Sequence, residues 1–285
     1  MGSETPRMIR VKGDGITIQA AEWPGQGLPV LAVHGLTANC RSFDLLAQAL
    51  APAHRFLALD LRGRGLSDKP ASGYSLDHHC RDIEAVLADL GIESAALMGH
   101  SLGAYICLGL AARRPDLVDR LILLDGGADL SPEEWAKVSA GIKPSLDRLG
   151  QTFPSFEDYI ARIKQAPFLQ PWNKVAEDYY RYESEEVEGG VRSRIDPAHI
   201  AEERGNLLTL NPREFYPGIK CPVLILRATE GMLSEDDLVL PLGAARDLVS
   251  SLEQAELVDL PGINHFSLAF QPSPERDQAL RRFMR

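Results

Sequence analysis

Short runs of consecutive apolar residues constrain this chain more than any other feature. They are Val30-Leu31-Ala32-Val33, Phe56-Leu57-Ala58-Leu59, Ala95-Ala96-Leu97-Met98, Leu121-Ile122-Leu123-Leu124 and Val223-Leu224-Ile225-Leu226. Each is too short for a helix, and none alternates with polar residues. Successive side chains of a strand point to opposite faces, so a run apolar throughout is buried on both. Helical patterns separate the runs. Phe43, Leu46, Ala47 and Leu50 share one face. Ile83, Val86, Leu87 and Leu90 share another, and Gly91 suits the end of that helix. A third helix runs through Ala104–Ala112 and stops at Arg113-Arg114-Pro115. This alternation predicts an α/β fold with a doubly wound, mostly parallel sheet. Met8–Val11 and Ile16–Ala21, around Gly13-Asp14-Gly15, read as a leading hairpin. Leu257–Leu260 reads as the last strand and Pro274–Phe283 as a closing helix.

The pattern breaks once. From Asp129 to about Pro217 the chain reads as helices with no buried strand. Ser131-Pro132-Glu133-Glu134 has the form of a capping box with proline in the first turn. Aromatics are frequent there, and Glu183–Glu188 reads as a solvated acidic surface. The expected organisation is a core of residues 1–128 and 217–285 with a helical insertion at 129–216, after strand 6.

The chemistry centres on Gly99-His100-Ser101-Leu102-Gly103, between the third apolar run and the third helix. A strand turning sharply into a helix puts the turn residue in a strained conformation, and flanking glycines let the two elements pass closely. The same five residues can serve as a purely structural turn, so the rest of the chain must supply partners. A serine attacks a carbonyl only if a base takes its proton and a third group orients that base. His265, just after the last strand, is the leading base, because loops after parallel strands gather on one sheet edge. His34 lies in another strand-end loop, His100 reads as a packing residue, and His54, His78, His79 and His199 need no special role. Asp125, ending the strand after Ser101, is the favoured acid, and Glu230, after a later strand, is the alternative. An oxyanion needs two N–H donors. Leu102 at the helix start and Leu36 in His34-Gly35-Leu36 are the candidates.

Composition excludes other classes. A net charge of −10 argues against nucleic acid and anionic membranes, which select basic patches. The four cysteines, Cys40, Cys80, Cys107 and Cys221, are dispersed and suggest neither zinc nor disulfides. They suit a reducing, cytoplasmic setting. No signal peptide or membrane span is read. Gly63-Arg64-Gly65 fails as a dinucleotide fingerprint because Asp68 stands where glycine is needed. No cofactor and no metal are expected, the partner is a small-molecule substrate, and the chain would be a monomer or homodimer.

Together, His34-Gly35, the Asp60-x-Arg62-Gly63-x-Gly65-x-Ser67-Asp68 loop, Gly99-x-Ser101-x-Gly103 and Asn264-His265 resemble the α/β-hydrolase fold superfamily, in its cap-bearing branch. The resemblance covers nearly the whole chain outside the insertion. It implies eight strands and an insertion that caps the site. Most relatives carry the acid after the later strand, where this chain has Glu230-Gly231, and some branches carry it after the earlier one, as Asp125 would be. The implied activity is that of a serine hydrolase, carboxylesterase-like, cleaving a small, mostly uncharged ester, lactone or amide through an acyl-enzyme. Trp135, Phe168 and Trp172 would line an apolar pocket. Alternatives on the same triad are C–C bond hydrolysis and perhydrolysis, and, from another class, a ligand-binding receptor with little turnover. Serine at the elbow excludes dehalogenase and epoxide hydrolase chemistry, which need aspartate there.

Overall fold

The protein is described by a computed structural model covering residues 5–285. The chain begins with β1 (Arg7–Lys12), β2 (Thr17–Trp23) and β3 (Gly27–Val33). It continues through α1 (Asp44–Leu50), β4 (His54–Leu59), α2 (Leu76–Asp89), β5 (Ala95–His100), α3 (Leu102–Arg113) and β6 (Val118–Leu124). An insertion then carries α4 (Pro132–Gly141), α5 (Lys143–Asp147), β7 (Thr152–Phe153), α6 (Phe156–Ile163), α7 (Lys174–Glu183), β8 (Ser184–Val187), β9 (Gly190–Ser193) and α8 (Pro197–Leu208). The sheet resumes with β10 (Val223–Glu230), α9 (Leu242–Ser250) and β11 (Ala255–Asn264), followed by α10 (Ser267–Phe270) and α11 (Pro274–Phe283).

The eight-stranded sheet has the order β1-β2-β4-β3-β5-β6-β10-β11. The β1–β2 and β2–β4 pairs are antiparallel and the others parallel. Each apolar run splits between two cores. Leu31, Val33 and Leu97 join α2 and α3 on one face, while Val30, Ala32 and Met98 join α1 and α11 on the other. That division is why the runs are continuous rather than alternating. From β3 the chain moves outward to β4, then returns to the other side of β3 as β5. The loops after β3 and β5 therefore diverge and leave a crevice at their C-terminal ends.

The insertion departs from the sequence expectation in one respect. It is not purely helical, because β7, β9 and β8 form a small antiparallel sheet. Glu183–Glu188 is correspondingly not a solvated run. Glu183 is buried, its carboxylate held by Arg148 and by the Tyr159 hydroxyl, and Ser184–Val187 is a strand. The Ser131 capping box forms as expected, with the hydroxyl accepting from the Glu134 N–H and the Glu134 carboxylate accepting from the Ser131 N–H.

The insertion is tied to the core by polar contacts. The Tyr182 hydroxyl donates to buried Asp60 at 2.6 Å, and the Asn264 amide donates to the Phe168 carbonyl at 3.1 Å. On α8, Glu203 meets Arg64 and His79 in the buried interior. His79 thus belongs to a buried polar cluster away from Ser101. Asp60 also accepts the Cys40 and Leu66 N–H groups, and Arg62 forms a buried pair with Asp82. The conspicuous Asp60–Asp68 loop is thus scaffolding for the crevice wall.

Candidate active site

Ser101 stands at the crevice with φ +56° and ψ −119°, a conformation most side chains avoid. Such a residue costs on the order of 1–3 kcal/mol and persists only when its surroundings enforce it. Here the enforcing elements are β5 and α3, which cross at very short range. A Cβ at Gly103 would run into the Val33 carbonyl, and one at Gly99 into the Gly103 carbonyl. Only glycine at both positions lets the helix start directly on the strand end. The elbow is held further by the Ser101 N–H, which donates to the Leu124 carbonyl at 3.0 Å.

Asp125 follows β6 directly and has a positive φ of 47°. Its N–H donates to the Leu226 carbonyl, and its Oδ1 accepts the Ala228 N–H at 3.1 Å. The other oxygen, Oδ2, faces His265, whose Nδ1–H donates to it at 2.8 Å. Asp125 is 1 % exposed and His265 5 %. A donor Nδ1 leaves Nε2 of His265 as the acceptor. Glu230, the alternative acid, lies exposed at the end of β10, beside Thr229. Of the two acids weighed, the geometry brings Asp125 to the histidine.

The His265 loop is built locally. Asn264 Oδ1 accepts the N–H groups of Phe266 and Ser267, and the Ser267 hydroxyl accepts the Asn264 N–H. The His100 ring stacks on His265 with centroids 4.4 Å apart, and its Nε2–H donates to the His265 carbonyl at 3.1 Å. Burial pushes the His100 pKa well below the usual histidine range, so this packing partner is neutral. His34 is neutral for the same reason, with its pKa pushed down to about 3. Its Nδ1–H donates to the Gly35 carbonyl, and its Nε2 accepts the Leu61 N–H. That pair of bonds anchors the loop carrying Leu36.

A cavity of about 60 Å³ opens over Ser101, His265 and Leu36. Its apolar wall comes from Ile142, Tyr179, Tyr180, Phe266 and Phe270. Among the described residues the Leu36 and Leu102 N–H groups donate to no protein acceptor, and Ser101 Oγ makes no hydrogen bond. The aromatic residues singled out from sequence sit elsewhere. Phe168 stacks on Phe266 and lines an adjoining cavity rather than the wall over Ser101. Trp172 stacks on Tyr180 under Lys164, and Trp135 packs against Tyr105. The lining residues that sequence reasoning missed had a signal of position only. Phe266 and Phe270 follow His265 within one turn, whereas Tyr179 and Tyr180 depend on how α7 docks.

A family model described as "alpha/beta hydrolase fold" matches residues 29–272. The 2-(acetamidomethylene)succinate hydrolase of Mesorhizobium japonicum is 31% identical over 263 residues, covering 88% of this chain and 86% of that protein. A crystal structure of E-2-(acetamidomethylene)succinate hydrolase superimposes with a TM-score of 0.84 at 27% identity, over 98% of this chain and 99% of the other. A crystal structure of an alpha/beta hydrolase from Novosphingobium aromaticivorans gives 0.76 at 25% identity, over 99% of both chains.

Proposed function

The chain belongs to the α/β-hydrolase fold family, and from that membership we propose that it is a serine hydrolase acting through Ser101, His265 and Asp125. The observation that carries the proposal is the 2.8 Å bond from His265 Nδ1 to Asp125 Oδ2, beside a strained serine in one cavity. Asp125 holds His265 in the tautomer whose Nε2 accepts the Ser101 proton as Oγ attacks a carbonyl carbon. The N–H groups of Leu36 and Leu102 receive the oxyanion. His265 then protonates the leaving group, and in the second half-reaction it activates water to release the acid. The insertion acts as a cap that excludes bulk water from these steps.

The substrate class proposed is a small carboxylic ester or amide. The Mesorhizobium relative is named a 2-(acetamidomethylene)succinate hydrolase, which supports hydrolysis on this scaffold. The cavity wall is mainly apolar and aromatic, which suits a substrate of low charge. Ser101→Ala tests the proposal with short-chain p-nitrophenyl esters. The expected result is a fall in kcat of about 10⁴-fold. Near wild-type turnover would refute the assignment of the nucleophile.

A further inference from the structure

The cavity over Ser101 does not end at the apolar wall. A second cavity, of about 180 Å³, lies within the insertion among Arg162, Ile163, Phe168 and Leu169. Ser145, Arg148 and Tyr180 line both spaces, so the two meet at a waist made of these three side chains. The waist is polar, as are Asp147, Arg162 and Gln165 along the second cavity.

Arg148 is 5 % exposed and ion-paired with Glu183. Its Nε and Nη2 donate to the Glu183 carboxylate at 3.1, 2.8 and 2.7 Å, and its Nη1 donates to the Ser145 carbonyl. The Tyr180 ring lies 5.6 Å from the guanidinium carbon, and the Tyr159 hydroxyl donates to Glu183 Oε1 at 2.6 Å. A guanidinium has five N–H donors. These bonds leave one N–H on Nη1 without an acceptor among the described residues. The Ser145 hydroxyl, at the same waist, is likewise uncommitted.

The charge at the waist is already balanced. Glu183 cancels Arg148 and Asp125 matches His265, while the exposed Arg162 of the second cavity bonds the Gln165 side chain. A substrate carboxylate placed on Arg148 would become the second anion on one guanidinium, within a few ångströms of the buried Glu183. Like charges at that range repel strongly in low dielectric. A neutral carbonyl oxygen meets no such penalty and satisfies the spare donors.

We propose that Arg148 and Ser145 form a specificity site for a second, neutral hydrogen-bond acceptor on the substrate, and that Glu183 sets its rejection of carboxylates. The substrate class is then an ester or amide with a ketone or amide carbonyl a few bonds from the scissile group. This rests on the reading of Ser101 as nucleophile.

Two matched sets of esters test it by kcat/KM. On the acyl side they are the p-nitrophenyl esters of 5-oxohexanoate, glutarate and hexanoate. On the alcohol side they are 5-acetoxypentan-2-one, 4-acetoxybutanoate and pentyl acetate. The expected order in at least one set is ketone, then alkyl, then carboxylate, with the ketone about ten-fold ahead of the alkyl compound, as for a bond to a charged donor. In Glu183→Gln, confirmed folded by circular dichroism, the ketone-to-carboxylate ratio falls at least about ten-fold, because the guanidinium charge is no longer cancelled. If the carboxylate matches the ketone in both sets, or the ketone has no advantage over alkyl in either, the inference is overturned. An unchanged ratio in folded Glu183→Gln overturns it too. Should that variant not fold, the wild-type order decides alone. Lack of Ser101-dependent turnover on all six compounds would instead remove the hydrolase reading, and the inference with it.

Discussion

At the scale of single residues, the site depends on groups kept in one protonation state. His34 and His100 are buried and neutral, His34 using both ring nitrogens and His100 one to fix loops of the site. Burial is the main cause of both lowered pKa values. A histidine whose folded pKa is depressed binds fewer protons folded than unfolded. Its contribution is therefore complete well above the unfolded value near 6.5 and shrinks as pH falls below it. Between pH 6.5 and 5 both rings withdraw folding stability. Urea unfolding at a series of pH values measures this, with the midpoint moving down as acid is added. A flat midpoint across that window would show that these rings are not held neutral. The choice of acid is also a residue-scale matter. Asp125 was legible because it ends the strand next to Ser101's, and parallel neighbours deliver their ends to one edge. Glu183 was not legible as a buried group, because its partner Arg148 lies just past a different helix, 35 residues away, and no local pattern links them.

At the scale of elements, the elbow is a packing device before it is a chemical one. β5 and α3 approach until the Gly103 Cα faces the Val33 carbonyl. Gly103→Ala adds a methyl group that cannot fit without moving β3 or α3. The expected cost is at least about 2 kcal/mol, as for overpacking a rigid interior. Thermal unfolding of the variant reads it directly, and an unchanged melting temperature would mean that the elbow yields easily. The core strands were readable for the reason that they are stable: both faces are buried, so their runs are unbroken. β7, β8 and β9 were not. They span two to four residues, carry Glu185 and Glu186, and bury little more than Ser184 and Ser193. Strands held by pairing to one another rather than by a core leave no hydrophobic signature.

At the scale of the whole molecule, three distant parts of the chain converge on one point. Ser101 arrives from β5, Asp125 from β6 and His265 from the turn after β11, while the insertion closes the cavity above them. The convergence follows from strand order, which a parallel α/β pattern makes predictable. The cavity wall does not follow from it. Trp135, Phe168 and Trp172 were reasonable aromatic candidates, but α7 docks so that Tyr179 and Tyr180 face Ser101 instead. That docking rests on contacts such as Tyr182 with Asp60, far apart in sequence. The central claim is that this convergence activates Ser101, and covalent labelling with a fluorophosphonate probe tests it most directly. Intact-mass and peptide analysis are expected to find one adduct, on Ser101, formed rapidly in the wild type and in Glu230→Gln but at least about 10³-fold more slowly in Asp125→Asn. No adduct on Ser101, or fast labelling in Asp125→Asn with slow labelling in Glu230→Gln, would contradict the account.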